Sequence, residues 1–117
     1  YFQAMLEAQS AAISAIKPGN TCADVDRASA GSFKENGFSN LILHHTGHGI
    51  GLEGHEPPFL DRGLETDLEP GMVLTVEPGI YELDFGGFRH SGTVLVTNDG
   101  NEVLTKYPRE LEELIVG

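Results

Sequence analysis

From Phe2 to Lys17 the apolar residues Phe2, Leu6, Ile13 and Ile16 return at helical spacing. Ala8, Ala11, Ala12 and Ala15 fill the intervals with strong helix formers, so the stretch predicts an amphipathic helix stopped by Pro18-Gly19. Tyr1-Phe2-Gln3 either continues this pattern or is the remnant of a protease-site tag, and the sequence favours neither. Thr21, with Asp24 three residues on, signals a second helix with Val25, Ala28 and Phe33 on one side, closed by Asn36-Gly37. Beyond Gly37 the period changes. Leu41-Ile42-Leu43 reads as a short buried strand delivering histidines at its end, and a loop rich in Gly and Pro follows through Gly54, Pro57 and Pro58. Met72–Val76 reads as a strand between Pro70-Gly71 and Pro78-Gly79, with Ile80 and Tyr81 as a possible extension. Thr93–Thr97 and Glu102–Thr105 flank Asn98-Asp99-Gly100-Asn101, a hairpin signal because these turn residues tolerate positive φ. Pro108 opens a final short helix carrying Leu111, Leu114 and Ile115.

Helices first and antiparallel strands afterwards imply an α+β fold, with the helices gathered on one face of a bent, mainly antiparallel sheet. The crossovers of a doubly wound parallel sheet are missing. At 117 residues the chain is one unit, residues 1–117, without internal repeat or linker.

Charge narrows the partners. With 18 acidic against 7 basic residues and a net charge of −11, the surface repels phosphate backbones, which argues against nucleic acid. No stretch reaches the ~20 apolar residues of a membrane span and no secretory leader precedes the fold, so a soluble, cytoplasmic protein is expected. Cys22 is the only cysteine, which rules out an internal disulfide and agrees with a reducing compartment. At a helix start it could be an activated thiol, or simply a small residue beside the Thr21 cap.

The candidate chemistry is concentrated. Four of the 5 histidines fall within His44-His45-Thr46-Gly47-His48-Gly49-Ile50-Gly51-Leu52-Glu53-Gly54-His55-Glu56. Imidazole binds divalent metals and shuttles protons, and the interleaved glycines let backbone run close to a ligand. A phosphate-binding loop is excluded, since no Lys-Ser or Lys-Thr follows. Glu77 stands at a strand end in Val76-Glu77-Pro78-Gly79. In Gly86-Gly87-Phe88-Arg89-His90-Ser91-Gly92, strand alternation sets Arg89 and Ser91 on one face and His90 on the other.

Taken together, His-Gly-Ile-Gly, a histidine seven residues after His48, Glu-Pro-Gly at a strand end and Arg before Thr-Val-Leu-Val resemble the pita-bread family of Xaa-Pro dipeptidase, aminopeptidase P, methionine aminopeptidase and creatinase. The likeness covers nearly the whole chain, is closest to Xaa-Pro dipeptidase-like members through His55-Glu56-Pro57-Pro58, and includes a first helix ending in Lys-Pro-Gly. It implies the C-terminal half of a pita-bread catalytic domain. Two aspartates, a histidine and two glutamates hold a pair of divalent metals (Mn, Co or Zn) in that family. By position His48 is similar to the histidine ligand and Glu77 to the first glutamate, while the aspartates belong to strands upstream of this chain. The last glutamate follows the arginine by two residues in an Arg-Xaa-Glu-Asp pattern, and here Ser91 stands in that place. A hydroxyl is a poor substitute for a bridging carboxylate. His44 and His55 resemble histidines that contact substrate and steady the tetrahedral intermediate, and Arg89 resembles a residue that supports the site by charge. The resemblance therefore implies hydrolysis of short peptides with proline second by metal-activated water, in a parent that forms a homodimer, with the isolated chain inactive. Two alternatives stand beside it: a metal-free C–N hydrolase of the creatinase type, and a binding module without catalysis.

Overall fold

The computed structural model describes residues 1–42, 44, 46–50, 56–61, 63–82 and 86–106. The expected final helix after Pro108 lies outside them. Helices α1 (Phe2–Ser14) and α2 (Cys22–Glu35) precede strands β1 (Gly47–Gly49), β2 (Glu56–Leu60), β3 (Val73–Val76), β4 (Gly79–Glu82), β5 (Gly86–Arg89), β6 (Gly92–Val96) and β7 (Asn101–Val103). Five strands form an antiparallel sheet in the order β2-β1-β3-β6-β7, and β4 pairs with β5 in a separate two-stranded ribbon. The expected α+β class, with helices on an antiparallel sheet, is what forms.

The helix ends show why they stop where they do. Helix α1 ends at Ser14 rather than Lys17: Asn101 donates its side-chain amide to the carbonyls of Ile13 and Ile16, and Asn20 to that of Ala15. Those bonds satisfy end carbonyls that a longer helix would have used itself. Tyr1 lies stacked between Phe38 and Phe88, with ring centroids 4.9 and 5.5 Å away. Helix α2 starts with a full capping box, Thr21 Oγ1 accepting from the Asp24 amide and Asp24 from the Thr21 amide. The next orphan donors, the Cys22 and Ala23 amides, reach the carbonyls of Thr66 and Leu64. At its other end Gly37 takes φ 79°, and the amides of Gly37 and Phe38 return to the carbonyls of Lys34 and Phe33, a Schellman closure.

Thr21→Ala should cost about 1 kcal/mol of stability in urea titrations. The Thr21 amide first, and Arg27 second, hold the Asp24 carboxyl below the usual carboxylate range. A depressed folded value means this contribution is complete above the ordinary carboxylate range and is lost as pH falls through the folded value, so Asp24→Asn should flatten the acid limb of the stability curve.

The apolar interior has two parts. Ala12, Ile16, Val25, Leu74, Val76 and Val94 belong to the cluster between the helices and the large sheet, while Met5, Leu6, Phe33 and Ile80 form a second cluster, against which Phe2, Phe38 and Phe88 pack. β6 alternates buried and half-buried positions along its length, as a strand covered on one face should.

Three expectations are corrected. Leu41-Ile42-Leu43 is not a strand within the described residues: Ser39–Leu41 is a 3₁₀ turn, and Leu41 and Ile42 pack on the second cluster. A three-residue apolar run does not distinguish a strand from any other buried segment. The segment read as Gly/Pro loop contains β2, which tolerates Pro57 and Pro58 because it is an edge strand. Ile80 and Tyr81 do not extend β3: Pro78 offers no N–H, and the chain leaves the large sheet to pair with β5.

Candidate functional site

His48 lies in β1 at the point where its register with β2 shifts, between His48 and Gly49. Thr75 of β3 fixes it there, its Oγ1 accepting from the His48 amide at 3.1 Å and donating to the His48 carbonyl at 3.4 Å. The ring is buried and its Nδ1 stands 2.9 Å from the Gly49 carbonyl. A carbonyl only accepts, so Nδ1 carries the proton. In the neutral ring Nε2 is then an acceptor, and it faces Glu77 Oε1 at 3.6 Å.

Glu77 follows the last residue of β3, and its amide donates to the Thr46 carbonyl at 2.7 Å. Because Val76 pairs with Gly92, the next residue on one strand and the preceding one on the other, Glu77 and Ser91, meet across the end of the ladder. Ser91 Oγ donates to Glu77 Oε2 at 3.1 Å. The three side chains thus form one continuous line, with the two carboxylate oxygens turned to different neighbours.

The helices hold this line from below. Gln9 of α1 donates its Nε2 to the carbonyls of Val76 and His90 at 3.1 and 2.7 Å. Asp26 of α2, buried, accepts from the Thr46 amide and hydroxyl at 3.2 and 2.6 Å. His44 Nε2 stands 2.9 Å from the Tyr81 hydroxyl, the rings meeting edge to face. That seat for Tyr81 needs glycines: a Cβ on Gly87 would lie 2.5 Å from its ring and one on Gly79 2.9 Å from its hydroxyl. His44, Thr46, Asp26, Asp61 and Phe33 line a cavity of about 380 Å³ beside Pro78 and Gly79.

His48, Glu77 and Ser91 therefore meet where β1, β3 and β6 adjoin, while His44, which belongs to no strand, reaches Tyr81 and the cavity. His55 lies outside the described residues. Arg89 is exposed at the end of β5 and makes no ion pair among the described residues. Cys22 is fully buried, and burial pushes its thiol up, which argues against an activated nucleophile there. Gln9, Asp26, Thr75 and Tyr81 support the site without having stood out in the sequence. Two of them carried a signal: Gln9 interrupts the buried Met5, Ala8, Ala12 stripe of α1, and Asp26 sits beside Val25 among the buried residues of α2.

Among the described residues no three His, Cys, Asp or Glu side chains converge to hold an ion. The pair His48 and Glu77 nevertheless fits one side of such a site. With the ring neutral both atoms are acceptors, and at 3.6 Å they stand about as far apart as two ligands sharing an ion with bonds of about 2.1 Å. Ser91 does not fit, since its hydroxyl donates to the carboxylate instead of adding a negative ligand.

The profile of metallopeptidase family M24 matches residues 1–98. The Xaa-Pro dipeptidase of Pyrococcus furiosus is 46% identical over 110 residues, covering 94% of this chain and 32% of that protein. The prolidase structure from Pyrococcus horikoshii superposes with a TM-score of 0.91 at 43% identity, over 94% of this chain and 32% of that one. The Xaa-Pro dipeptidase structure from Bacillus anthracis gives 0.91 at 46% identity, over 94% and 31%. The chain thus spans about a third of the length of the relatives it matches. Motifs, fold and these likenesses agree, and the chain belongs to metallopeptidase family M24.

Proposed function

We propose that residues 1–117 are the C-terminal part of a pita-bread catalytic domain and supply the His48–Glu77 side of the site of an Xaa-Pro dipeptidase-type hydrolase. The observation that carries this reading is the facing of His48 Nε2 and Glu77 Oε1, two acceptors held by separate strands with a gap suited to a cation. Bound there together with ligands from upstream strands, a divalent Mn, Co or Zn ion would supply an activated water at neutral pH. The rest falls to side chains. His48 holds its ring orientation through Gly49, Ser91 keeps Glu77 Oε2 turned aside, and the Glu77 carboxylate takes or returns a proton. His44, braced by Tyr81 at the cavity wall, contacts the substrate, and His55 steadies the oxyanion as its counterparts do in the resembling family. Arg89 contributes positive charge beside the ribbon. The substrate is a short peptide with proline second, the complete protein is a cytoplasmic homodimer, and the isolated chain is inactive. Among the described residues no helix is long and apolar enough to cross a membrane.

The Ser91–Glu77 hydrogen bond favours a second reading, a metal-free hydrolase in which histidines do the acid and base work. Grafting this chain in place of the matching third of the Pyrococcus furiosus Xaa-Pro dipeptidase separates the two. The leading reading expects slow Xaa-Pro hydrolysis that stops with chelator and returns with Mn or Co. Hydrolysis indifferent to chelator would reject it in favour of the second.

A further inference from the structure

Gln9 is 2% exposed on α1 among the buried apolar residues Met5, Ala8 and Ala12. Its Oε1 is buried with no hydrogen-bond partner among the described residues. An interior amide that leaves an acceptor unsatisfied is a net liability unless its donors accomplish something an apolar residue would not. Its two amide hydrogens have definite destinations: the carbonyl of Val76 at 3.1 Å and that of His90 at 2.7 Å, 67 and 81 positions away along the chain. Those carbonyls belong to the residues immediately before Glu77 and Ser91. Both lie where the β3–β6 ladder closes on the Val76–Gly92 pair and where the two chains would otherwise splay, one toward Pro78 and the other back into β5. Gly92 adjoins the amide, its Cβ position lying 3.4 Å from Gln9 Nε2, an ordinary contact distance.

We infer that Gln9 is a positioning residue: its side-chain amide clamps the two strand ends together and so fixes Glu77 and Ser91 opposite each other. A peptide plane fixed at its carbonyl fixes the Cα that follows, so one amide sets the approach of two site side chains. The clamp rests on reading Glu77 and Ser91 as site residues, but its test reads geometry instead of hydrolysis and fails or holds separately.

The test is Gln9→Met, which keeps length and apolar bulk and removes both donors. In its crystal structure the Thr75–Thr93 pairing should persist while the Ser91 Oγ to Glu77 Oε2 hydrogen bond is lost. In a Ser91→Glu background, Gln9→Met should weaken Co²⁺ binding about tenfold well below the melting temperature. A role limited to satisfying carbonyls would lower the melting temperature and leave both readouts in place, and that result would overturn the clamp. Should Gln9→Met not fold, the unaltered chain decides by hydrogen exchange. The clamp requires the side-chain amide protons of Gln9 to be protected like the Thr75 and Val94 amides, and exchange at the rate of an exposed amide refutes it.

Discussion

Gly47→Ala is expected to cost about 3 kcal/mol or more, a large part of the total of about 5–15 kcal/mol typical of a small domain. The reason is backbone against backbone. A Cβ on Gly47 would lie 1.9 Å from the Thr75 carbonyl oxygen and 2.8 Å from its carbon, with the Leu60 side chain at 3.2 Å. A side chain could rotate away, but the Thr75 carbonyl is fixed within β3, which pairs with β6 along its whole length. β1 must therefore move off β3. It would carry His48 away from Thr75 and Glu77, so stability and site would fail together. Gly31 is the control. It lies in α2, where an added Cβ would meet nothing within 4 Å, and Gly31→Ala should gain about 0.5–1 kcal/mol from helix propensity. Urea titration of the two variants checks the pair, and equal stabilities would contradict the close approach.

Ser91→Glu should have the largest effect on chemistry. Without a cation, a second carboxylate beside Glu77 repels it and the variant should melt below the unaltered chain. With a cation the sign reverses, because His48, Glu77 and the new carboxylate offer three ligands, as catalytic zinc sites do. Zn²⁺ affinity by calorimetry should rise at least about tenfold, or about 1.4 kcal/mol. At a free concentration of about 100 times the dissociation constant the ion should stabilise the variant by about 2.7 kcal/mol. An affinity equal to that of the Ser91 chain would show that position 91 does not face the cation gap.

Much of this was legible in the sequence because short-range signals dictated it. Thr21 with Asp24, Asn36-Gly37 and the Asn-Asp-Gly-Asn turn each name a local geometry, and the structure adopts all three. His48 and Glu77 stood out by residue type on backbones that approach closely. What escaped is nonlocal. Whether Pro57-Pro58 lies in a loop or an edge strand depends on a partner, β1, supplied by another segment. Tyr81 looked like one more strand residue because its role rests on His44, 37 positions away, and on room left by Gly79 and Gly87. Gln9 and Asp26 broke the apolar pattern of their helices, but a buried polar residue gains its role only when its distant carbonyl or amide is known.

If this chain carries one side of an M24 metal site and lacks one ligand at Ser91, metal content and turnover must both depend on position 91. Metal analysis and Xaa-Pro hydrolysis of the Pyrococcus furiosus graft, with Ser91 and with Ser91→Glu, read that dependence without an intermediary. Substoichiometric metal and slow turnover with Ser91, both raised severalfold by Ser91→Glu, is the predicted result. A graft that binds a full metal complement and turns over at the unmodified enzyme's rate with Ser91 in place would contradict it.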